Sequence, residues 1–196
     1  MKTNQRMSTK TMVLGAVMTA FVIVFQLLST YTTFFGPFST AIALIPIIIG
    51  AALCGASVGA WLGFVFGMVV LLTGGAALFW VFSIPGSIIT VLLKGTACGL
   101  AAGLIYRLLK GVNRYLAVFA AAAACPVVNT GVFLGCCAIF FLPSADAIAA
   151  SLGLGVSGMA VFWALAMANF LFELGLSVVF APVIVRLLER AGSSRA

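Results

Sequence analysis

Four polar side chains interrupt the apolar segments of this sequence at positions where they could bind a small molecule: Lys94, Asn129, Asn169 and Glu173. A lysine ammonium can hold an anion, and a carboxamide can both donate and accept hydrogen bonds. A charged side chain at the centre of a bilayer costs about 3 kcal/mol or more, so Lys94 and Glu173 are expected to be paired or used. The four residues therefore predict a polar binding site within an apolar protein.

Lys94 and Glu173 admit two interpretations, because they are the one deep cation and the one carboxylate within the predicted spans. They could pair with each other and hold the helices together, or they could contact a polar ligand. The two are compatible, since an ion pair can open to receive a zwitterion or an acid. Asn169 and Glu173 lie four residues apart and so share one helix face.

The sequence offers little for catalysis. It contains no histidine, and no nucleophile–base pair or metal-ligand cluster accompanies the polar residues. The segment "GLGVSG" at 153–158 matches GxGxxG but follows no predicted strand, and its serine lacks a histidine base. There is no GxxxxGK[ST] motif for ATP hydrolysis. We therefore expect no enzyme, no metal and no cofactor.

The elements that must position these residues are membrane-spanning helices. The chain has 196 residues, of which 64% are hydrophobic and 7% are charged, a composition that excludes a soluble domain of this size. We predict one all-α integral membrane domain over residues 1–196, a bundle of six transmembrane helices. Their approximate ranges are 11–30, 40–53, 57–73, 87–109, 115–142 and 158–188.

The basic residues predict the orientation of this bundle. Nine of the ten fall before the first helix, between the fourth and fifth, or after the sixth: Lys2, Arg6, Lys10, Arg107, Lys110, Arg114, Arg186, Arg190 and Arg195. With six spans all three regions lie on one side, and the positive-inside rule places that side in the cytoplasm. We expect a plasma-membrane protein with both termini cytoplasmic. The net charge of +7 is then an orientation signal and does not indicate nucleic-acid binding.

The connections on the opposite face contain no lysine or arginine and are rich in aromatic residues. They are predicted as the loops 31–39, 74–86 and 143–157, with Phe34, Phe35, Phe38, Phe79, Trp80 and Phe82. One interpretation is an aromatic belt at the membrane interface. The other is a lid over an outward-facing pocket, in which Phe79 and Trp80 would contact the ligand.

Small residues recur at every fourth position in three helices. Gly55, Gly59, Gly63 and Gly67 form one row, and Gly95, Gly99 and Gly103 form another. Such rows lie on one helix face and let two backbones approach closely, so we expect both rows to pack inside the bundle. The first helix carries Ala16 and Ala20, which could instead form an external docking face for another membrane protein.

The sequence resembles the substrate-binding S component of energy-coupling factor (ECF) vitamin transporters. The resemblance covers nearly the whole chain and includes the AxxxA motif at Ala16 and Ala20 in "LGAVMTAFVIV", and the stretches "FSTAIALIPIIIGAALCG", "GAWLGFVFG", "TVLLKG" and "CPVVNTGVF". It implies that AxxxA docks onto a transmembrane T component, which works with two cytoplasmic ATPases. It also implies a vitamin site in the outer half of the bundle, where Lys94, Asn129, Asn169 and Glu173 fall.

The ligand expected from these residues is a carboxylate that also carries hydroxyl or amide groups, and pantothenate is the leading candidate. Riboflavin or a thiamine precursor would instead require aromatic stacking, which Trp80, Phe79 or Trp163 could supply. Two other classes stay open, a self-sufficient small transporter or channel and a membrane enzyme or assembly factor. The first would more often show an internal repeat, and none is clear here.

Overall fold

The computed structural model describes residues 9 to 31 and 41 to 193, and this part of the chain is built from helices. In order they are α1 (Thr9–Tyr31), α2 (Ala41–Cys54), α3 (Ala56–Leu72), α4 (Ala77–Trp80), α5 (Ile84–Leu109), α6 (Arg114–Phe140), α7 (Ala145–Leu152) and α8 (Met159–Ser193). A 3₁₀ turn, Leu142–Ser144, joins α6 to α7. The predicted outer-loop residues Phe34, Phe35 and Phe38, and the basic residues Lys2, Arg6 and Arg195, lie outside the described residues.

Four helices are long and apolar enough to cross a bilayer, namely α1, α5, α6 and α8. The helices α2 and α3 are also apolar but contain only 14 and 17 residues. At 1.5 Å per residue they extend about 21 and 26 Å, short of a hydrocarbon core of about 30 Å. The chain is thus an all-helical, multi-pass membrane protein. The count of six spans stays a prediction, which requires that α2 and α3 also cross the bilayer.

The central helix of the bundle is α2, which packs against α1, α3, α5, α6 and α8. Around it α3 lies along α5, α5 lies along α6, and α6 lies along α8. The main core contains fully buried side chains such as Ile47, Leu62 and Phe66. A second apolar cluster forms where α7 meets α6 and α8, around Phe141, Ile148 and Phe162. The second cluster covers the ends of the helices that carry the polar residues.

The two glycine rows, which were predicted to pack inside the bundle, face each other across the contact between α3 and α5. A Cβ atom at Gly63 would overlap the carbonyl oxygen of Gly95, and one at Gly59 would overlap the carbonyl oxygen of Gly99. The two helices run antiparallel, because residue numbers rise along α3 in the direction in which they fall along α5. We call this contact the glycine interface; it consists of Gly59, Gly63 and Gly67 of α3 with Gly95, Gly99 and Gly103 of α5.

Gly55 was wrongly assigned to the glycine row. It caps the N-terminus of α3 at the junction with α2, where its φ is 99°, and an added Cβ would meet no atom within 4 Å. Only glycine adopts this region without strain. Spacing by four places a residue on a helix face only while the helix continues, and α3 begins one residue later, at Ala56.

Two predicted loops contain short helices. In the segment 143–157 the structure forms α7, which has Asp146 in its first turn, is rich in alanine and ends at Gly153 with φ of 65°. The carboxylate of Asp146 accepts a hydrogen bond from the backbone N–H of Gly158 at 3.1 Å, which ties α7 to the start of α8. The segment 74–86 contains α4 and the first turn of α5. These segments contain apolar residues with good helix propensity, which explains why they form short helices instead of extended loops.

The start of α5 sets the direction of its polar face. Ser83 caps the helix by accepting a hydrogen bond from the N–H of Gly86 at 3.2 Å, and Pro85 lies in the first turn, where its missing N–H costs nothing. From this start Ser87, Thr90 and Lys94 follow at intervals of three and four residues and share one face. That face points into the bundle, where Ser87 and Thr90 are buried.

Candidate ligand-binding site

A cavity of about 380 Å³ lies between α1, α3, α5, α6 and α8, beside α4. Its volume falls within the usual range for small-molecule sites, about 300–1,000 Å³. The wall mixes aromatic, hydroxyl and amide side chains with one cation. Its side-chain lining includes Gln26, Thr30, Val70, Thr73, Phe79, Ser87, Thr90, Val91, Lys94, Phe133, Phe141 and Asn169.

A smaller cavity of about 70 Å³ adjoins the first at its inner end. Lys94, Phe133 and Asn169 line both cavities, and Asn129 and Thr130 line only the smaller one. Three polar residues lie at a similar distance from the helix ends on one side of the bundle. This distance is about 15 to 17 Å along the helix for Lys94 from Ile84, for Asn129 from Phe140 and for Asn169 from Met159. It is about half the thickness of a hydrocarbon core, so the three share a depth near the middle of a bilayer. The structure therefore brings three of the four predicted polar residues to one place.

The ammonium of Lys94 lies over the ring of Phe133, with Nζ 5.4 Å from the ring centroid. The negative face of an aromatic ring attracts a cation, and the attraction strengthens where water is excluded. The ring offers only a diffuse negative potential, so the three N–H donors of the ammonium keep their capacity for an oxygen acceptor. Lys94 is partly exposed to the cavity that it lines.

Glu173 lies behind the cavity wall, held by both asparagines. The side-chain nitrogen of Asn169 donates to the carboxylate at 2.8 Å, and that of Asn129 donates at 3.1 Å. Glu173 is fully buried and lines neither cavity among the described residues. The sequence predicted Glu173 as a residue that meets the ligand; the structure places it one layer behind Asn129 and Asn169.

The carboxylate fixes which way the two amides face. An ionised carboxylate can only accept hydrogen bonds, so with Glu173 ionised each asparagine presents its NH₂ group to it and turns its oxygen away. The oxygen Oδ1 of Asn129 is buried and has no donor within the described part of the chain. The result is a buried acceptor on Asn129, which lines the smaller cavity together with Lys94.

Among the aromatic residues, Phe79 lines the larger cavity and Trp80 does not. Phe79 packs against Phe133 with 5.8 Å between ring centroids, and against Phe141 at 5.1 Å. These rings form the apolar part of the wall. Trp80 and Trp163 lie on the surface, with 38% and 48% of their area exposed.

Several lining residues were not assigned to the site from the sequence: Gln26, Thr30, Thr73, Ser87, Thr90, Phe133 and Phe141. The signal that would have found two of them is the spacing of Ser87, Thr90 and Lys94 on one face of α5. Gln26 and Thr30 repeat that pattern at four residues on α1. No spacing rule relates α1 to α5, so the meeting of these faces is a product of the tertiary structure.

Ala16 and Ala20 lie on an exposed face of α1, away from the cavity. Ala16 contributes to an apolar groove of about 480 Å³ between α1 and α3. The opposite wall of the groove includes Ser57, Val58 and Trp61, and the indole N–H of Trp61 donates to Thr19 at 3.3 Å. Ala20 is exposed but does not line the groove.

A known protein family matches the sequence over these helices. A family profile described as "ECF transporter, substrate-specific component" matches residues 10 to 185, which is most of the chain. No curated protein and no solved structure matches it. The match begins within α1 and ends within α8, so it includes every helix that lines the cavity and the groove. The chain therefore belongs to the family of substrate-specific components of ECF transporters.

Proposed function

We propose that the two adjoining cavities capture a vitamin or vitamin-like molecule, which this subunit delivers inward together with a T component and two ATPases. The observation that carries the proposal is the position of Lys94. Of the residues that the structure describes, it is the one cation on the wall of a cavity of about 380 Å³, with Asn129 and Asn169 at the same depth. A charge-assisted hydrogen bond in such a low-dielectric site is stronger than a neutral one.

The preferred ligand is a carboxylate with hydroxyl or amide groups, and pantothenate fits best. Glu173 does not count against an anion, because two amides separate its carboxylate from the cavities. The aromatic wall of Phe79, Phe133 and Phe141 would suit the dimethyl group of pantothenate by apolar contact. Riboflavin or a thiamine precursor is the alternative, held against the same rings.

The test is to identify what the protein binds. The subunit is purified in lipid nanodiscs, and any molecule released on denaturation is identified by mass spectrometry. Titration calorimetry then measures pantothenate binding to the emptied protein. We expect pantothenate to be released and to rebind with a 1:1 stoichiometry. Release of a flavin or a thiamine precursor, with no heat from pantothenate, would reject the carboxylate assignment.

The docking face for the T component is proposed at Ala16 and Ala20. The family membership implies a transmembrane partner, and the exposed small residues beside the groove of about 480 Å³ would let a partner helix approach closely. The exposed apolar residues Val13, Val17 and Val24 continue this face along α1.

A further inference from the structure

We infer that the larger cavity recognises its ligand mainly as a hydrogen-bond donor, so the ligand carries one anionic group and at least two hydroxyl or N–H groups. The inference rests on the proposed function, which it makes more specific. It follows from how the polar side chains of the wall use their own protons.

All four hydroxyl groups on the wall of the larger cavity donate to backbone carbonyls of their own helices. Thr90 donates to the carbonyl of Gly86 at 2.7 Å and Ser87 to that of Ser83 at 2.7 Å. On α1 and α3, Thr30 donates to Gln26 at 2.9 Å and Thr73 donates to Val69 at 2.8 Å. A hydroxyl has one proton and two lone pairs. Thr30 also contacts Oγ1 of Thr73 at 3.4 Å, so one lone pair of Thr73 is used within the protein. With their protons directed at the protein, the four groups offer the cavity their remaining lone pairs.

The asparagine amides are used in the same way. Asn129 and Asn169 direct their NH₂ groups at the carboxylate of Glu173. The oxygen Oδ1 of Asn129 is then the atom left for a donor from the ligand. Glu173 thus acts as a positioning residue: without touching the ligand it turns the amide of Asn129, a group of mixed character, into an acceptor.

Two buried acceptors near the cavities lack a donor among the described residues. They are the buried oxygens Oε1 of Gln26, a residue that lines the larger cavity, and Oδ1 of Asn129, a residue that lines the smaller one. Both residues are 2% exposed. A buried polar atom without a partner is unfavourable, and a ligand donor that reached it would remove that penalty.

The wall therefore combines many acceptors with two donors, the ammonium of Lys94 and the NH₂ group of Gln26. An anionic group on the ligand satisfies the ammonium, and most other polar groups of the ligand meet oxygen lone pairs. A ligand whose remaining polar groups are hydroxyls or N–H groups gains hydrogen bonds here. A carboxylate whose other polar groups are carbonyls, ethers or ring nitrogens loses its hydration and gains nothing.

Three ligands that differ in one feature each test the inference by calorimetry on the full chain in nanodiscs. They are pantothenate, its analogue without the two hydroxyls, and pantothenol, in which a hydroxymethyl group replaces the carboxylate. We expect the dideoxy analogue to bind about tenfold or more weakly than pantothenate, because it lacks the donors of two hydrogen bonds. Equal affinity of pantothenate and the dideoxy analogue would overturn the inference.

The arms of this experiment separate the inference from the proposed function. Equal binding of pantothenol would reject the carboxylate at Lys94 and leave the donor requirement standing. If pantothenate does not bind, the molecule released from the purified protein decides: a compound with fewer than two hydroxyl or N–H groups refutes the donor requirement, and one with two or more supports it.

A variant of the wall gives a second test. Thr90→Val keeps the shape of the side chain and removes the hydroxyl with its bond to the carbonyl of Gly86. The helical hydrogen bond from the backbone N–H of residue 90 to the same carbonyl stays. We expect affinity for pantothenate to fall about two- to tenfold, while the dideoxy analogue binds as before. Thr96→Val is the matched control, since Thr96 donates to Leu92 at 2.7 Å on the same helix but does not line the cavity. If Thr90→Val lowered the affinity for pantothenate and for the dideoxy analogue equally, the Thr90 hydroxyl would act through packing. That result would contradict the inference.

Discussion

Lys94 places a positive charge near the middle of an apolar bundle and contacts the ring of Phe133 there. A contact of this kind with an aromatic face stabilises a desolvated cation by about 2 kcal/mol, which is less than the cost of burying it. A bound anion would supply the remainder. The site thus holds a cation that an anionic ligand would stabilise further.

At this scale we predict that Lys94→Ala weakens pantothenate binding by about 2–5 kcal/mol, because truncating one member of a desolvated charge pair leaves the other unpaired. Calorimetry on the purified protein measures the loss. Lys110→Ala is the control, since Lys110 is exposed in the turn after α5. Normal binding by the Lys94 variant, together with a lower unfolding temperature, would make Lys94 a structural residue.

The sequence was enough to predict which residue types form the site. It was not enough to predict which of them line the cavity and which lie behind its wall. Lys94, Asn129 and Asn169 were conspicuous because polar groups are costly within apolar spans. Glu173 was conspicuous for the same reason, but whether a buried carboxylate faces the ligand or faces its neighbours depends on side chains of another helix. Trp80 and Phe79 are adjacent in sequence, and only the path of the chain through α4 decides which of them points at the cavity.

Among the elements, α3 and α5 approach each other closely along their glycine rows. The glycine interface brings the backbones together at Gly59, Gly63, Gly95 and Gly99, with carbonyl oxygens where side chains would otherwise be. Lipid removes the hydrophobic drive for helices to associate, so this pair depends on close van der Waals packing. The interface holds α5, and with it the face of Lys94, in a fixed position.

We predict that Gly63→Ala lowers the free energy of unfolding by about 3 kcal/mol or more, the upper end of the usual range for overpacking. The reason is that the new methyl group would overlap the carbonyl oxygen of Gly95. Gly131→Ala is the matched control on α6, where an added Cβ meets nothing within 4 Å. There the change should be neutral or stabilising by up to about 1 kcal/mol. Unfolding followed in nanodiscs by circular dichroism measures both. An equal effect at the two positions would mean that helix propensity, and not the interface, controls the result.

The periodic elements were predictable because glycine spacing and long apolar runs are local signals. The prediction failed where a signal ended. Gly55 continues the spacing but lies at the cap of α3, and α7 forms in a segment that was expected to be a loop. Caps and short helices depend on a few contacts, such as that between Asp146 and Gly158, which join residues far apart in the chain.

On the scale of the whole molecule, the distribution of charge predicts how the protein lies in the membrane. Arg107, Lys110 and Arg114 surround the turn between α5 and α6, and Arg186 lies near the end of α8. The helix α7 with Asp146 lies at the other ends of α6 and α8. We propose six spans with both termini in the cytoplasm, in which α2 and α3 cross despite their short lengths.

We predict that, in intact cells, a membrane-impermeant thiol reagent labels Ala147→Cys and leaves Lys110→Cys unlabelled. Both positions are exposed, and Ala147 avoids the hydrogen bond of Asp146 to Gly158. The native cysteines are replaced by serine or alanine beforehand. Labelling of position 110 alone would invert the orientation.

We also predict that Ala16→Trp abolishes uptake by the assembled transporter but leaves ligand binding by the isolated subunit unchanged. The large side chain blocks close approach of a partner helix on an exposed face, away from the cavity. Co-purification with the T component and calorimetry measure the two properties. Lost binding with intact assembly would show that this face of α1 is not the docking face.

The peripheral position of α1 affects how the protein must be handled. Only 17% of its apolar span is buried, compared with 44% for α6. Nevertheless α1 supplies Gln26 and Thr30 to the cavity. A short-chain detergent that competes for helix surfaces should loosen α1 before it separates α3 from α5. A preparation can then keep its helical content and still lose one wall of the cavity, so extraction with a mild, long-chain detergent is the appropriate starting point for purification.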